Sequence, residues 1–125
     1  MFRTVFLIGS GGFIGSVARY YVSRLNLTLS FHSIPVGTLL VNVLGSLIIG
    51  LLMGLSERSA VITSDARLFL MVGICGGFTT FSSFTLENLT LLHNGQIIQL
   101  LIYTASSLLF GFGAVFAGYS LSNLF

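Results

Sequence analysis

Charge is what this chain has least of. Only 6% of its 125 residues are charged, where an ordinary soluble domain carries about 25%. So few charges cannot cover the surface of a small water-soluble protein, which excludes a soluble globule. Lysine is absent; the cations are Arg3, Arg19, Arg24, Arg58 and Arg67, against Glu57, Asp65 and Glu87. A net charge of +2 supplies no basic patch, which argues against nucleic acid as a partner. The single cysteine, Cys75, sits in an apolar run and excludes an intrachain disulfide. With two histidines, one cysteine and three acids at no ligand spacing, metal and nucleophilic catalysis are excluded and no enzyme is expected. What remains is apolar: 54% of the chain is hydrophobic, and lipid is its expected solvent.

The few charges mark the joints. Thr4–Ala18, Leu25–Ser56, Leu68–Leu86 and Asn88–Phe125 carry none. A helix crosses about 30 Å of hydrocarbon with about 20 residues. That predicts an all-α chain, residues 1–125 forming one membrane domain, with four spans over about 3–24, 36–56, 67–92 and 96–122. Breakers stand between them: Asn26–Pro35 with the only proline, the charged Glu57–Asp65, and the turn His93-Asn94-Gly95. Arg19 interrupts the first apolar stretch and no small-residue cleavage site follows, so this stretch is expected to stay as a span.

Four spans put both termini on one side, together with Arg3, Arg58 and Arg67. Arg19 and Arg24 fall on the other. This is almost no positive-inside bias, so the chain is expected to insert both ways.

Glycine is abundant, with 15 residues. The four-residue spacings Gly11/Gly15, Gly50/Gly54, Gly73/Gly77, Ser107/Gly111 and Ala114/Gly118 predict close helix contacts. Gly9, Gly12 and Gly15 also form GxxGxxG after an apolar run, as in a dinucleotide-binding turn. That chemistry needs an acid about 20 residues on, and the first acid here is Glu57. The segment reads as a tightly packing helix face.

Polar residues inside spans are costly and point to function. Thr38 and Asn42 fall at i, i+4 on one face of the second span. In the third, Gly76-Gly77 followed by Thr79-Thr80 is poor helix-forming sequence at mid-span. A break there is tolerated only where backbone is buried in protein or lines a cavity, and it frees carbonyls that suit a bare cation. Beyond it, Phe81, Phe84 and Glu87 form one stripe at i, i+3, i+6, with Ser82 and Thr85 beside it. Ring edges are electropositive. With amide and hydroxyl donors they can solvate an anion without the fixed charge that would trap it. The competing reading is a Phe stripe for packing. On the fourth span, Tyr103 and Ser107 repeat the i, i+4 spacing and Gly111 continues that face.

GSGGFIGSVARY, GTLLVNVLGSLIIG and GICGGFTTFSSFTLE, in this order and spacing, resemble the fluoride-channel family called Fluc or CrcB, from Gly9 to about Gly118. The resemblance implies an antiparallel, dual-topology homodimer in the plasma membrane of a bacterium, with two fluoride pores and passive fluoride export. It implies a structural sodium ion at the dimer centre, held by the backbone carbonyls of Gly76 and Thr79. The family's pore phenylalanines match Phe81 and Phe84, and its pore asparagine matches Asn42. Thr38, Ser82, Tyr103 and Ser107 match polar positions of the ion path. Arg19 and Glu87 match the family's first-span arginine and third-span acid.

Two other classes compete. A small proton-coupled multidrug exporter needs a carboxylate in the first span, and none is present. A non-transporting membrane subunit accounts for the glycines but not for Asn42 and a broken, Phe-striped third span.

Overall fold

The computed structural model describes residues 1–28 and 32–125. The loop expected at Asn26–Pro35 therefore lies partly outside the described residues. Among the described residues, four helical stretches are long and apolar enough to cross a membrane: Phe2–Thr28, Val36–Arg58, Ser64–His93 and Ile97–Leu124. The protein is a multi-pass membrane protein. We label the helices α1 (Phe2–Ser23), α2 (Leu25–Thr28), α3 (Val36–Arg58), α4 (Ser64–Arg67), α5 (Gly76–Phe78), α6 (Phe81–His93) and α7 (Ile97–Leu121). A π-helical segment, Leu68–Cys75, joins α4 to α5, and a 3₁₀ turn, Ser122–Leu124, follows α7. The first span runs past its expected end, because the helix resumes after Arg24 and continues to Thr28. Nothing in the local sequence LFLMVGIC explains the π-helical turns.

Contacts at the helix ends confirm that the spans alternate in direction. Arg3 is paired with Asp65, which puts the N-terminus beside the joint of the second and third spans. At that end, Tyr119 donates to Glu57 (2.5 Å) and Arg58 stacks over its ring. At the opposite end, Gln96 donates to Ser33 (2.9 Å), joining the other two loops. The turn before α7 closes with Gly95 at φ 72°, the left-handed conformation that glycine adopts without a Cβ clash.

Small residues decide which helices pair. Gly11 and Gly15 of α1 meet the third span: a Cβ on Gly11 would come within 2.9 Å of Gly73 Cα, and one on Gly15 within 2.8 Å of Phe78 N. Gly50 and Gly118 likewise press α3 against α7, each facing backbone of the other helix. Such close approach replaces the hydrophobic drive that lipid cannot supply. The expected Ser107/Gly111 pair does not pack this way, since a Cβ on Gly111 would meet nothing within 4 Å. The GxxGxxG glycines all lie within helix α1, so no strand–turn–helix forms there. They also differ from one another: Gly9 faces open space, whereas Gly15 abuts backbone. Gly15→Val should therefore destabilise the folded protein by about 1–3 kcal/mol, with Gly9→Ala neutral. Equal melting temperatures for the two variants in detergent would contradict this pairing.

Candidate functional site

The third span breaks over two residues. Thr79 (φ −80°, ψ 156°) and Thr80 (φ −150°, ψ 121°) are extended. Gly76 and Gly77, expected within the break, are helical. The glycines therefore serve helix contact and the threonines make the break. β-branched threonine favours extended backbone, and its hydroxyl supplies local hydrogen bonds. The Thr79 hydroxyl donates back to Cys75 O (2.9 Å). Thr80 Oγ1 accepts from Ser83 N (3.2 Å), capping α6.

Asn42, reaching across from α3, completes the break. Its Nδ2 donates to Thr80 O (3.1 Å) and its Oδ1 accepts from Thr80 N (2.8 Å). The side-chain amide thus pairs with the Thr80 backbone as a second strand would. The backbone partners also fix the orientation of the amide: an N–H must face Oδ1, and a carbonyl must face Nδ2. The amide's second N–H hydrogen stays available.

Carbonyls at and just before the break lose their usual helical donors. Thr80 N–H, which would close a turn on Gly76 O, goes to Asn42. Ser83 N–H, which would reach Thr79 O, goes to the Thr80 hydroxyl. Gly77 O instead receives Arg19 Nε (3.0 Å). Arg19 therefore caps a helix end across the α1 contact.

Asn42, Gly76, Thr79, Phe81, Phe84 and Ser107 share one groove of about 340 Å³, which Cys75, Thr80 and Gly111 also line. None of these lining residues is charged. Its wall is aromatic: the Phe81 and Phe84 ring centroids lie 5.9 Å apart, and Phe84 lies 5.1 Å from the Tyr103 ring. Phe81 is 77% exposed, so one side of the groove is uncovered within a single chain. Ser107 Oγ is buried without a hydrogen-bond partner among the described residues. Ser82 is exposed, its hydroxyl 3.4 Å from that of Thr80.

The remaining expected residues form a second cluster, linked to the groove through the Phe84–Tyr103 contact. Glu87 accepts from the Thr38 hydroxyl (2.6 Å) on one oxygen and from Tyr103 OH (2.8 Å) on the other. Thr38 and Tyr103 are buried, and Tyr103 packs with Ile34 and Leu91. Asn26 joins them, its Nδ2 donating to Thr38 Oγ1 (3.0 Å) while its Oδ1 accepts from Gly37 N (2.6 Å) and Thr38 N (3.2 Å). The chain Asn26–Thr38–Glu87–Tyr103 takes one residue from each span.

Sequence reasoning overlooked Asn26, which fell in a segment read as loop. One signal was available: Pro35 precedes α3 and has no side-chain oxygen with which to cap it. Also unanticipated was Asn88, which bonds Phe84 O and accepts from Thr104 (3.4 Å), tying α6 to α7.

Comparison with known proteins finds relatives over nearly the whole chain. The profile of the family described as "CrcB-like protein, Camphor Resistance (CrcB)" matches residues 6–119. A protein of Azobacteroides pseudotrichonymphae named "Fluoride-specific ion channel FluC" is 42% identical over 125 residues, covering 100% of both chains. One of the same name from Agrobacterium fabrum is 45% identical over 120 residues, 95% of this chain and 96% of its own. Another, from Chlorobium luteolum, is 43% identical over 115 residues, 92% of this chain and 88% of its own.

Proposed function

This chain belongs to the CrcB-like family, and on that premise we propose that it is a fluoride channel through which the ion leaves the cell down its own gradient. The relatives named as fluoride-specific channels support the permeant ion. The observation in this chain that carries the reading is the uncharged groove in which Asn42, Phe81, Phe84 and Ser107 converge beside the break. Fluoride sheds part of its water and passes along ring edges, the free Asn42 N–H and hydroxyls. Neutral donors hold it weakly enough for release. The first turn of α6, the positive end of a 13-residue helix, also borders this path and favours an anion.

The four spans act as one membrane unit, and two copies assemble antiparallel in a bacterial plasma membrane, each dimer holding two pores. The uncovered side of the groove supports a second copy closing it. So does Gly76, where an added Cβ would approach only Met71 O, at 3.9 Å. We assign the ion path to Asn42, Phe81, Phe84, Ser82, Thr38, Tyr103, Ser107 and Glu87, with Arg19 positioning the break from behind.

No cluster of three or more His, Cys, Asp or Glu side chains forms among the described residues, so a resident cation would rely on neutral oxygens. The carbonyls of Gly76 and Thr79, released from their helical bonds, suit sodium, a hard cation. Bound there, sodium would pin the break and add positive charge near the anion path.

A proton-coupled exporter needs a carboxylate free to exchange a proton for drug. Glu87 is occupied by two donors, which favours the channel. Purified protein in liposomes is expected to release fluoride and retain chloride. A folded, assembled protein that releases no fluoride would overturn the proposal.

A further inference from the structure

We infer that Asn26 is a positioning residue for conduction: by presenting a donor and no acceptor to the Thr38 hydroxyl, it leaves that hydrogen to Glu87, which so keeps two hydrogen-bond donors. This rests on the reading above, that Thr38 and Glu87 belong to the ion path.

The direction of every bond in the cluster is determined. Asn26 Oδ1 receives two backbone N–H groups, from Gly37 and Thr38. Backbone N–H only donates, so this end of the amide is oxygen and the end facing Thr38 is NH₂. NH₂ only donates as well, so Thr38 Oγ1 accepts from it. Thr38 has one hydroxyl hydrogen, which is then directed to Glu87 Oε1 at 2.6 Å. Tyr103 supplies the other oxygen, Oε2. Each carboxylate oxygen thus faces a hydroxyl hydrogen. An anion passing the Phe81–Phe84–Glu87 stripe meets a carboxylate already occupied, and taking away one donor raises the barrier in front of it.

Asn26 also caps α3, where Pro35 cannot. The two roles separate by substitution. Asn26→Asp keeps the capping oxygen, and its negative charge suits a helix N-terminus. It puts a second acceptor against Thr38, so the hydroxyl turns to the new carboxylate or is left between two acceptors. Asn26→Ala removes the cap and leaves the Thr38 hydrogen on Glu87.

Stability and conduction should therefore rank in opposite orders. Asn26→Asp, whose gain at the helix N-terminus is offset by the Glu87 carboxylate beyond Thr38, should melt near the wild-type temperature, and Asn26→Ala several degrees below it. In liposomes, Asn26→Asp should release fluoride about tenfold more slowly than wild type, and Asn26→Ala only about twofold more slowly. A residue that merely caps a helix would make efflux follow stability. On a Thr38→Val background, itself slow, Asn26→Asp should add less than about a twofold change, because no hydroxyl remains to be turned. Conduction like wild type by Asn26→Asp overturns the inference. So does a tenfold loss that persists on Thr38→Val, which would indicate direct repulsion by the new charge, and so does an Asn26→Asp protein that fails to fold. A folded wild type that passes no fluoride overturns the pore reading instead, and the inference with it.

Discussion

Phe81→Ile is expected to slow fluoride efflux from liposomes by about tenfold or more, equivalent to ~1.4 kcal/mol of barrier, while folding and assembly stay near wild type. Phe81 lines the groove and its ring lies 5.9 Å from Phe84. Isoleucine keeps apolar bulk for lipid or for a second copy. It has no electropositive ring edge to replace lost water around an anion. With most of its surface exposed in the single chain, Phe81 contributes little to the core, so its replacement leaves few contacts unmade. The measurement is initial efflux rate against a fluoride electrode, beside size-exclusion profiles of the same preparations. A normal rate from Phe81→Ile would mean that the ring only packs.

The largest loss of stability is expected from Asn42→Ala. Asn42 pairs both the N–H and the carbonyl of Thr80, at mid-span, where unpaired backbone is costly. Leaving these two half-buried backbone groups unpaired costs up to about 6 kcal/mol, a large share of the roughly 5–15 kcal/mol that holds a protein folded. The break then has no partner across the bundle, and the groove loses its wall along with a donor. Asn42→Ala should aggregate or melt far below wild type in detergent. Asn42→Asp keeps the acceptor for Thr80 N–H but sets a carboxylate oxygen against Thr80 O, so it should fail nearly as badly. A stable Asn42→Ala protein, with a cooperative melt near that of wild type, would show that the break holds without the clamp.

Much of this molecule was legible as spacing. Charges at Arg3, Arg24, Arg58 and Arg67 bound the apolar runs, and the first span, the end of the second and the start of the third fall within a few residues of those marks; Pro35 and the turn His93-Asn94-Gly95 mark the other two joints. A joint needs water-soluble side chains, and the hydrocarbon between joints excludes them. The same local logic placed Phe81, Phe84 and Glu87 on one stripe and anticipated a break before it. It located that break too broadly. Gly76-Gly77 and Thr79-Thr80 are all weak helix formers, and only the partners across the bundle distinguish them: α1 needs Gly77 close and helical, whereas Asn42 holds Thr80 extended.

Partnership itself could not be read along the chain. Arg19 looked like a site residue and is found on a carbonyl of the third span. Asn26 looked like loop and is found at the head of a polar chain through all four spans. The sequence by itself determined that the chain crosses a membrane four times, with little charge to orient it and a polar, aromatic third span. Only the tertiary structure decided which backbone groups the break releases, which donors Glu87 receives and which residues share the groove. Periodicity along one helix reports the face a residue occupies. The neighbour it meets depends on how closely small residues on other helices let the backbones approach.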